Sequence, residues 1–212
     1  GLAFGENERE GITRNNRFYH EKLDFGLSFP KGWRIDNRSD RVLAIAPDDK
    51  GMVQMTMTDL NKRITPRDFM TQRLKLENMQ DETEVTVDGL EGYTATADGN
   101  TRYGTRRVRY VVLFRKDSAW IFAGAAKKRN ALQQYDTAIL DTAKSFHALS
   151  GEEKKLAAGK HLKIISAPPG TRYADLARQS PITHLPEEQL RLLNNQYPDG
   201  EPEPSRLIKI VR

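Results

Sequence analysis

Thr105-Arg106-Arg107-Val108-Arg109-Tyr110-Val111-Val112-Leu113-Phe114-Arg115 (TRRVRYVVLFR) is the run on which the fold turns. In an extended chain Val108, Tyr110, Val112 and Phe114 fall on one side and Arg107, Arg109, Val111, Leu113 and Arg115 on the other, so both faces of this strand carry apolar residues and both are partly covered. Its neighbours have the same character. Ala119 to Ala125 follows after the turn Lys116-Asp117, and Tyr93 to Ala97 precedes it, with a turn expected at Asp98-Gly99-Asn100. Farther out, Glu84 to Val87 is joined through Asp88-Gly89, and Val42 to Ala46 pairs with Met52 to Leu60 across Pro47-Asp48-Asp49-Lys50-Gly51. In the last of these strands Val53, Met55 and Met57 alternate with Gln54, Thr56 and Thr58, the pattern of a half-buried antiparallel strand. Two short strands, Phe18 to Leu23 and Phe25 to Phe29, open the domain.

Helices interrupt this meander. Thr65-Pro66-Arg67-Asp68 reads as a helix start, with Thr65 as N-cap, Pro66 in the first helical position and Asp68 in the first turn; Phe69, Met70, Leu74, Leu76 and Met79 make an irregular apolar stripe after it. Asn130 to Phe146 carries Leu132, Tyr135, Ile139, Thr142, Ala143 and Phe146 at spacings of three and four, which predicts a helix lying on the sheet. Strands and helices in this order give an α+β sandwich: an antiparallel sheet flanked by helices. Residues 1–17 have no apolar period and read as an incoming linker or arm, 18–148 as the α+β domain and 149–160 as a linker or short helix. Residues 161–212 form a small second domain of order βααβ, with strands at Leu162 to Ser166 and Leu207 to Val211 and helices at Tyr173 to Gln179 and Pro186 to Asn195.

The 212 residues include no cysteine, which removes disulfides, thiolate zinc sites, iron–sulfur ligation and a cysteine nucleophile. Net charge is +5, with 24 basic against 21 acidic residues before Gly151 and 10 against 8 from there on, so neither part has the charge of a nucleic-acid module. No apolar run reaches the roughly 18 residues of a membrane-spanning helix. The first residue is Gly1; a processed or truncated product is expected, with any targeting segment upstream. The sequence lacks a G-x-S-x-G elbow, both phosphate-binding glycine motifs and an HExxH pair, and its histidines, His20, His147, His161 and His184, are scattered.

Two resemblances rest on particular motifs. HLKIISAPPGTRYADLARQS, EEQLRLLNN and EPEPSRLIKIV together resemble a LysM module, carried by Gly170-Thr171, Leu176-Ala177, Leu190, Leu193, Asn194 and Leu207; the usual acidic residue in the first turn is absent, and YPDGEPEPS is longer than the family's approach to the last strand. FYHEKLDFGLSFPKGW (Phe18 to Trp33) resembles the opening of the PsbP/Mog-like fold. With TAKSF at Thr142 to Phe146 and the LysM-like tail, the chain resembles the C-terminal region of bacterial periplasmic HtpX/BepA-like zinc metallopeptidases, whose HExxH domain lies upstream.

That resemblance implies a non-catalytic accessory region in the periplasm or cell envelope of a Gram-negative bacterium. It implies no cofactor in this chain, with zinc in the upstream domain. The implied partners are the protease domain in cis and peptidoglycan or envelope proteins, without nucleic acid. The alternative is a free-standing PsbP-like assembly or binding protein with a peptidoglycan-binding tail. For the LysM-like unit the implied glycan groove lies between Pro168 to Tyr173 and Tyr197 to Pro204, which nominates Gly170, Thr171, Arg172, Tyr173 and Tyr197, with Tyr197 stacking on a sugar face. A basic cluster at Arg102, Arg107, Arg109 and Arg115, with Arg106, Lys127, Lys128 and Arg129, reads either as a site for an anionic partner or as a solvated strand face that discourages edge association.

Overall fold

The computed structural model describes residues 11–60, 63–157, 162–182 and 184–211. The chain divides into two compact units, residues 1–157 and 158–212. Unit 1 is built on a seven-stranded antiparallel sheet. Its strands are β4 (Arg34–Asn37), β5 (Val42–Ile45), β6 (Gly51–Asp59), β7 (Gln80–Val87), β8 (Leu90–Thr101), β9 (Gly104–Arg115) and β10 (Ser118–Ala126), in the order β4-β5-β6-β10-β9-β8-β7. A three-stranded antiparallel sheet, β1 (Gly11–Arg14), β2 (Arg17–His20) and β3 (Phe25–Ser28), completes the β structure of unit 1 among the described residues.

TRRVRYVVLFR is the inner strand β9, paired on one side with β10 from Ser118↔Arg115 to Ala125↔Val108 and on the other with β8 from Gly92↔Leu113 to Thr101↔Gly104. Its two sides serve two cores. Val111 and Leu113 join Val53, Met55, Trp120 and Phe122 on the face covered by the small sheet, through Phe18, Phe25, Leu27 and Phe29, and by α2 (Gln133–Lys144), through Ile139, Ala143 and the following Phe146. Phe25, Trp120 and Phe146 pack with ring centroids 4.8 to 5.5 Å apart, Phe25 stacked on Phe146 and edge-on to Trp120. Close seating of α2 needs Gly124, since a Cβ there would lie 2.4 Å from Ile139 Cγ1. On the opposite face α1 (Pro66–Gln72) lays Phe69 and Met70 on Ala95, Val112, Phe114, Ala119 and Ile121. Thr65 caps α1 by accepting from the Asp68 N–H at 3.0 Å, as the sequence implies.

Several segments differ from the sequence reading; among them β2 ends at His20 and α2 begins at Gln133, each short of the span read for it. The turn expected at Asp98-Gly99-Asn100 is strand, paired with Arg107, Arg106 and Thr105; Gly99 serves packing, because a Cβ would lie 2.1 Å from the Tyr110 hydroxyl oxygen. The first helix ends at Gln72, and Leu76 reaches the same core from the loop beyond it, where Lys75 and Asn78 adopt positive φ. Within the arm, residues 11–14 pair with β2 as a hairpin whose turn residue Asn15 has φ 56°; residues 1–10 lie outside the described residues. The stretch read as a linker or short helix is helical: α3 (Gly151–Ala157) forms behind a capping box, in which Ser150 Oγ accepts from the Glu153 N–H at 3.2 Å and Glu153 Oε2 accepts from the Ser150 N–H at 2.9 Å. Leu149 and Ala157 bury themselves against Tyr19, and so this stretch belongs to unit 1.

Unit 2 has the order β11 (Leu162–Ser166), α4 (Tyr173–Arg178), α5 (Pro186–Leu193) and β12 (Leu207–Val211), with β11 and β12 antiparallel. Its core is Ala167, Tyr173, Ile182, Leu190, Ile208 and Ile210.

Candidate functional site

On the face of the large sheet that α1 packs against, the part the helix leaves free carries a second apolar cluster, Leu43, Ile45, Met52, Val108 and Ala125. Leu43, Gln54, Ala123 and Tyr110 form one row across β5, β6, β10 and β9, and Ile45, Met52, Ala125 and Val108 form the next. All of these but Ile45 line a cavity of about 380 Å³. Arg38 and Arg41, from the β4–β5 hairpin, and Arg102, from the β8–β9 turn, stand at its rim with Asn100 and Thr101.

Each rim arginine has a carboxylate neighbour: Arg38 with Asp36 at 2.7 Å, Arg41 with Asp40, and Arg102 with Asp49 at 3.3 Å. The Arg41 hydrogen bond holds the Asp40 carboxyl below the usual carboxylate range. Tyr103 donates to Asp49 Oδ1 at 3.0 Å, and burial together with that bond pushes its phenol up to about 12. Burial raises Tyr110 as well, so both phenols stay protonated and neutral across the physiological range.

The arginines named from sequence do not converge. Arg102 is on the cavity rim. Arg107 lies on the other face, with Nε on Thr96 Oγ1 at 3.2 Å and Nη1 3.7 Å from Asp98. Arg109 is buried at 6% exposure and makes a bidentate pair with Asp136 of α2. Arg115 reaches the β2–β3 turn, donating to the Leu23 carbonyl and to Asp24 at 2.9 Å each. Arg109 and Arg115 thus tie layers of unit 1 together. The rim pair Arg38 and Arg41 was missed because it flanks a short hairpin (Arg38-Ser39-Asp40-Arg41), and only the sheet order brings it near Arg102.

In unit 2 the loops 168–173 and 197–204 do come together. Glu201 Oε2 accepts from the Tyr173 N–H at 2.8 Å, and Ala167 exchanges backbone bonds with Ser205 and Arg206. Gly170 has φ 80°, and Thr171 Oγ1 donates to the Pro168 carbonyl at 2.7 Å. Arg172 is the residue before α4. Tyr197 is 56% exposed at the loop edge, whereas Tyr173 is fully buried in the core. Asn194 links α5 to β12: its Nδ2 donates to the Leu190 and Lys209 carbonyls and its Oδ1 accepts from the Lys209 N–H.

His20 is buried with its ring 5.6 Å from Phe25, His184 is exposed in unit 2, and His161 lies outside the described residues. Among the described residues no three His, Asp or Glu side chains gather as a metal set. His147 joins three segments: its backbone pairs with Gly26, Nδ1 lies 2.7 Å from the Ser145 carbonyl, and Nε2 lies 3.0 Å from Glu153 Oε1 of α3. Burial alone would lower this imidazolium, but the Ser145 carbonyl and the Glu153 carboxylate outweigh it and raise its pKa. A raised folded-state value means that the stabilisation is complete below the ordinary histidine value of about 6.5 and is lost as pH climbs through the folded one. Melting curves of the chain and of His147→Gln, taken between about pH 6 and pH 8, are expected to converge as pH rises; curves that stay parallel would refute the role of this pair.

No family model matches the chain, and no curated protein matches it. Among solved structures it is similar to cyanobacterial PsbP (CyanoP) from Synechocystis, with 14% identity, 65% of this chain and 95% of that one covered, and a TM-score of 0.47. It is similar to the Saccharomyces cerevisiae Ran-binding protein Mog1p, with 8% identity over 67% of this chain and 99% of that one and a TM-score of 0.47. It is also similar to LpqN, involved in cell envelope biogenesis of Mycobacterium tuberculosis, with 16% identity, 59% and 83% coverage and a TM-score of 0.40.

Proposed function

We propose that the chain is a non-catalytic accessory region of an extracytoplasmic zinc metallopeptidase in a Gram-negative envelope. In this reading unit 1 docks to the protease domain or its substrate, unit 2 contacts the cell wall, and zinc belongs to an upstream HExxH domain. The observation that carries the reading is the meeting of loops 168–173 and 197–204 in unit 2. Glu201 bridges them while Tyr197 remains 56% exposed, an aromatic face beside backbone groups of the kind that sugar recognition uses. Support for the parent protein comes from the ordered motifs of the sequence, from the aromatic hairpin through TAKSF to the closing LIKIV.

The test is retention of the full chain on insoluble peptidoglycan at low salt. Binding is expected, and Tyr197→Ala should weaken it about tenfold, the cost of removing one aromatic anchor. No retention of the unmodified chain overturns the wall-binding role. A reading frame with no HExxH upstream overturns the protease parent and leaves the free-standing binding protein.

A further inference from the structure

We infer that the cavity on the large sheet of unit 1 is a binding site for a small organic anion, a carboxylate or phosphate monoester carried on a compact apolar body. The inference is independent of the wall-binding and protease assignments. Three observations carry it.

The first is size. A volume of about 380 Å³ lies in the range of pockets that hold small molecules. The second is the floor. Leu43, Met52, Val108, Ala123 and Ala125 present apolar surface, and Tyr110 adds a phenol that remains neutral. Small residues at Ala123 and Ala125 on the central strand β10 keep this floor low where α1 does not cover it.

The third is charge. The lining contains three arginines and no carboxylate. Asp36, Asp40 and Asp49, which pair with the arginines, are not among the lining residues. Donors also remain available. Arg38 uses Nε and Nη2 on Asp36, and the Nη1 bond of Arg41 to Gln54 Oε1 is long at 3.4 Å, so that an incoming anion can displace it. An arginine fork over an apolar floor recognises the charged head of such a molecule by paired N–H donors and its body by burial. A neutral analogue of the same shape retains only the second contribution.

The experiment is an NMR titration of the full chain with hexanoate, its neutral isostere hexanamide, butyl phosphate and inorganic phosphate. Saturable shifts centred on the amides of Val108, Tyr110, Ala123 and Ala125 are expected, with hexanoate or butyl phosphate at least tenfold tighter than hexanamide. The tighter of the two anions identifies the head group, and inorganic phosphate binds more weakly than butyl phosphate if the floor contributes. The double substitution Arg38→Ala/Arg102→Ala removes the preference for anions, and both residues are exposed enough at the surface for the fold to tolerate it. Ala123→Leu fills the floor and weakens all the organic ligands together. Equal affinity for hexanoate and hexanamide, shifts centred elsewhere, or no saturable shift with any ligand overturns the inference. The comparison of ligands on the unmodified chain decides it even if a variant does not fold.

Discussion

Asp136→Ala is expected to destabilise unit 1 by about 3 kcal/mol, the low end of the range for breaking a buried ion pair. For a domain of this size that is a fall of roughly 6 to 12 °C in Tm. Asp136 stands in the first turn of α2, and its two oxygens accept from Arg109 Nε at 2.7 Å and Nη2 at 2.9 Å. Arg109 sits in the middle of β9 with its side chain 7% exposed, while Asp136 is 26% exposed. Its remaining donor reaches the Asp81 carbonyl at 3.2 Å and Thr94 Oγ1 at 3.4 Å, and the Asp81 carboxylate is 3.9 Å away. Loss of Asp136 therefore leaves a guanidinium that is enclosed by protein and has only long bonds to neutral acceptors and the exposed Asp81 carboxylate at 3.9 Å. The attraction lost is smaller than the penalty of the charge left behind. Replacing both partners, as Arg109→Met/Asp136→Leu, removes the stranded charge and is expected to recover most of the loss. A single substitution that costs under about 1 kcal/mol, or a double variant no better than the single one, would show that this pair does not hold α2 to the sheet.

The same residue marks the limit of what the sequence could reveal. The alternation in TRRVRYVVLFR correctly assigned both faces of β9, because side-chain direction in a strand is local and of period two. Nothing local tells an arginine in water from one paired with a carboxylate 27 positions away, so Arg109 and Arg115 looked like members of a surface patch. The cavity was hidden for a similar reason. Its floor is drawn from β5, β6, β9 and β10, whose order in the sheet differs from their order in the chain. By contrast, the strands of unit 2 run over the spans expected for them, since βααβ order within so few residues leaves a strand one partner. Some local signals were present but weak. Ser150-Gly151-Glu152-Glu153 is a capping box inside a charged stretch, and it marks α3 where composition left a linker and a short helix open. Gly99 shows the opposite case: beside Asp98 and Asn100 it has turn chemistry, yet it is there to make room for Tyr110.

Tyr173→Ala is expected to unfold unit 2 altogether at room temperature while unit 1 keeps its fold. Tyr173 is the largest fully buried side chain of unit 2 and packs among Ala167, Ile182, Leu190, Ile208 and Ile210. Arg191 lies over its ring at 5.8 Å, and its hydroxyl donates to Gln196 Oε1. Deleting a buried ring of this size costs about 4 kcal/mol. A core in a unit of about 55 residues supplies only about 3 to 5 kcal/mol in total, so the substitution consumes nearly all of it. Tyr173→Phe keeps the ring and loses only the bond to Gln196, at about 1 kcal/mol, and should remain folded with a lower melting point. Amide NMR separates the outcomes: collapse of the resonances of residues 162–211 in Tyr173→Ala, with those of the sheet in unit 1 unmoved, is the expected pattern. The resemblance to a LysM module placed Tyr173 beside Tyr197 on a glycan groove, which would make Tyr173→Ala a folded variant defective only in binding. Dispersed unit 2 resonances in Tyr173→Ala would favour that groove role; their loss, with Tyr197→Ala remaining folded, divides the two tyrosines into a core residue and a surface one.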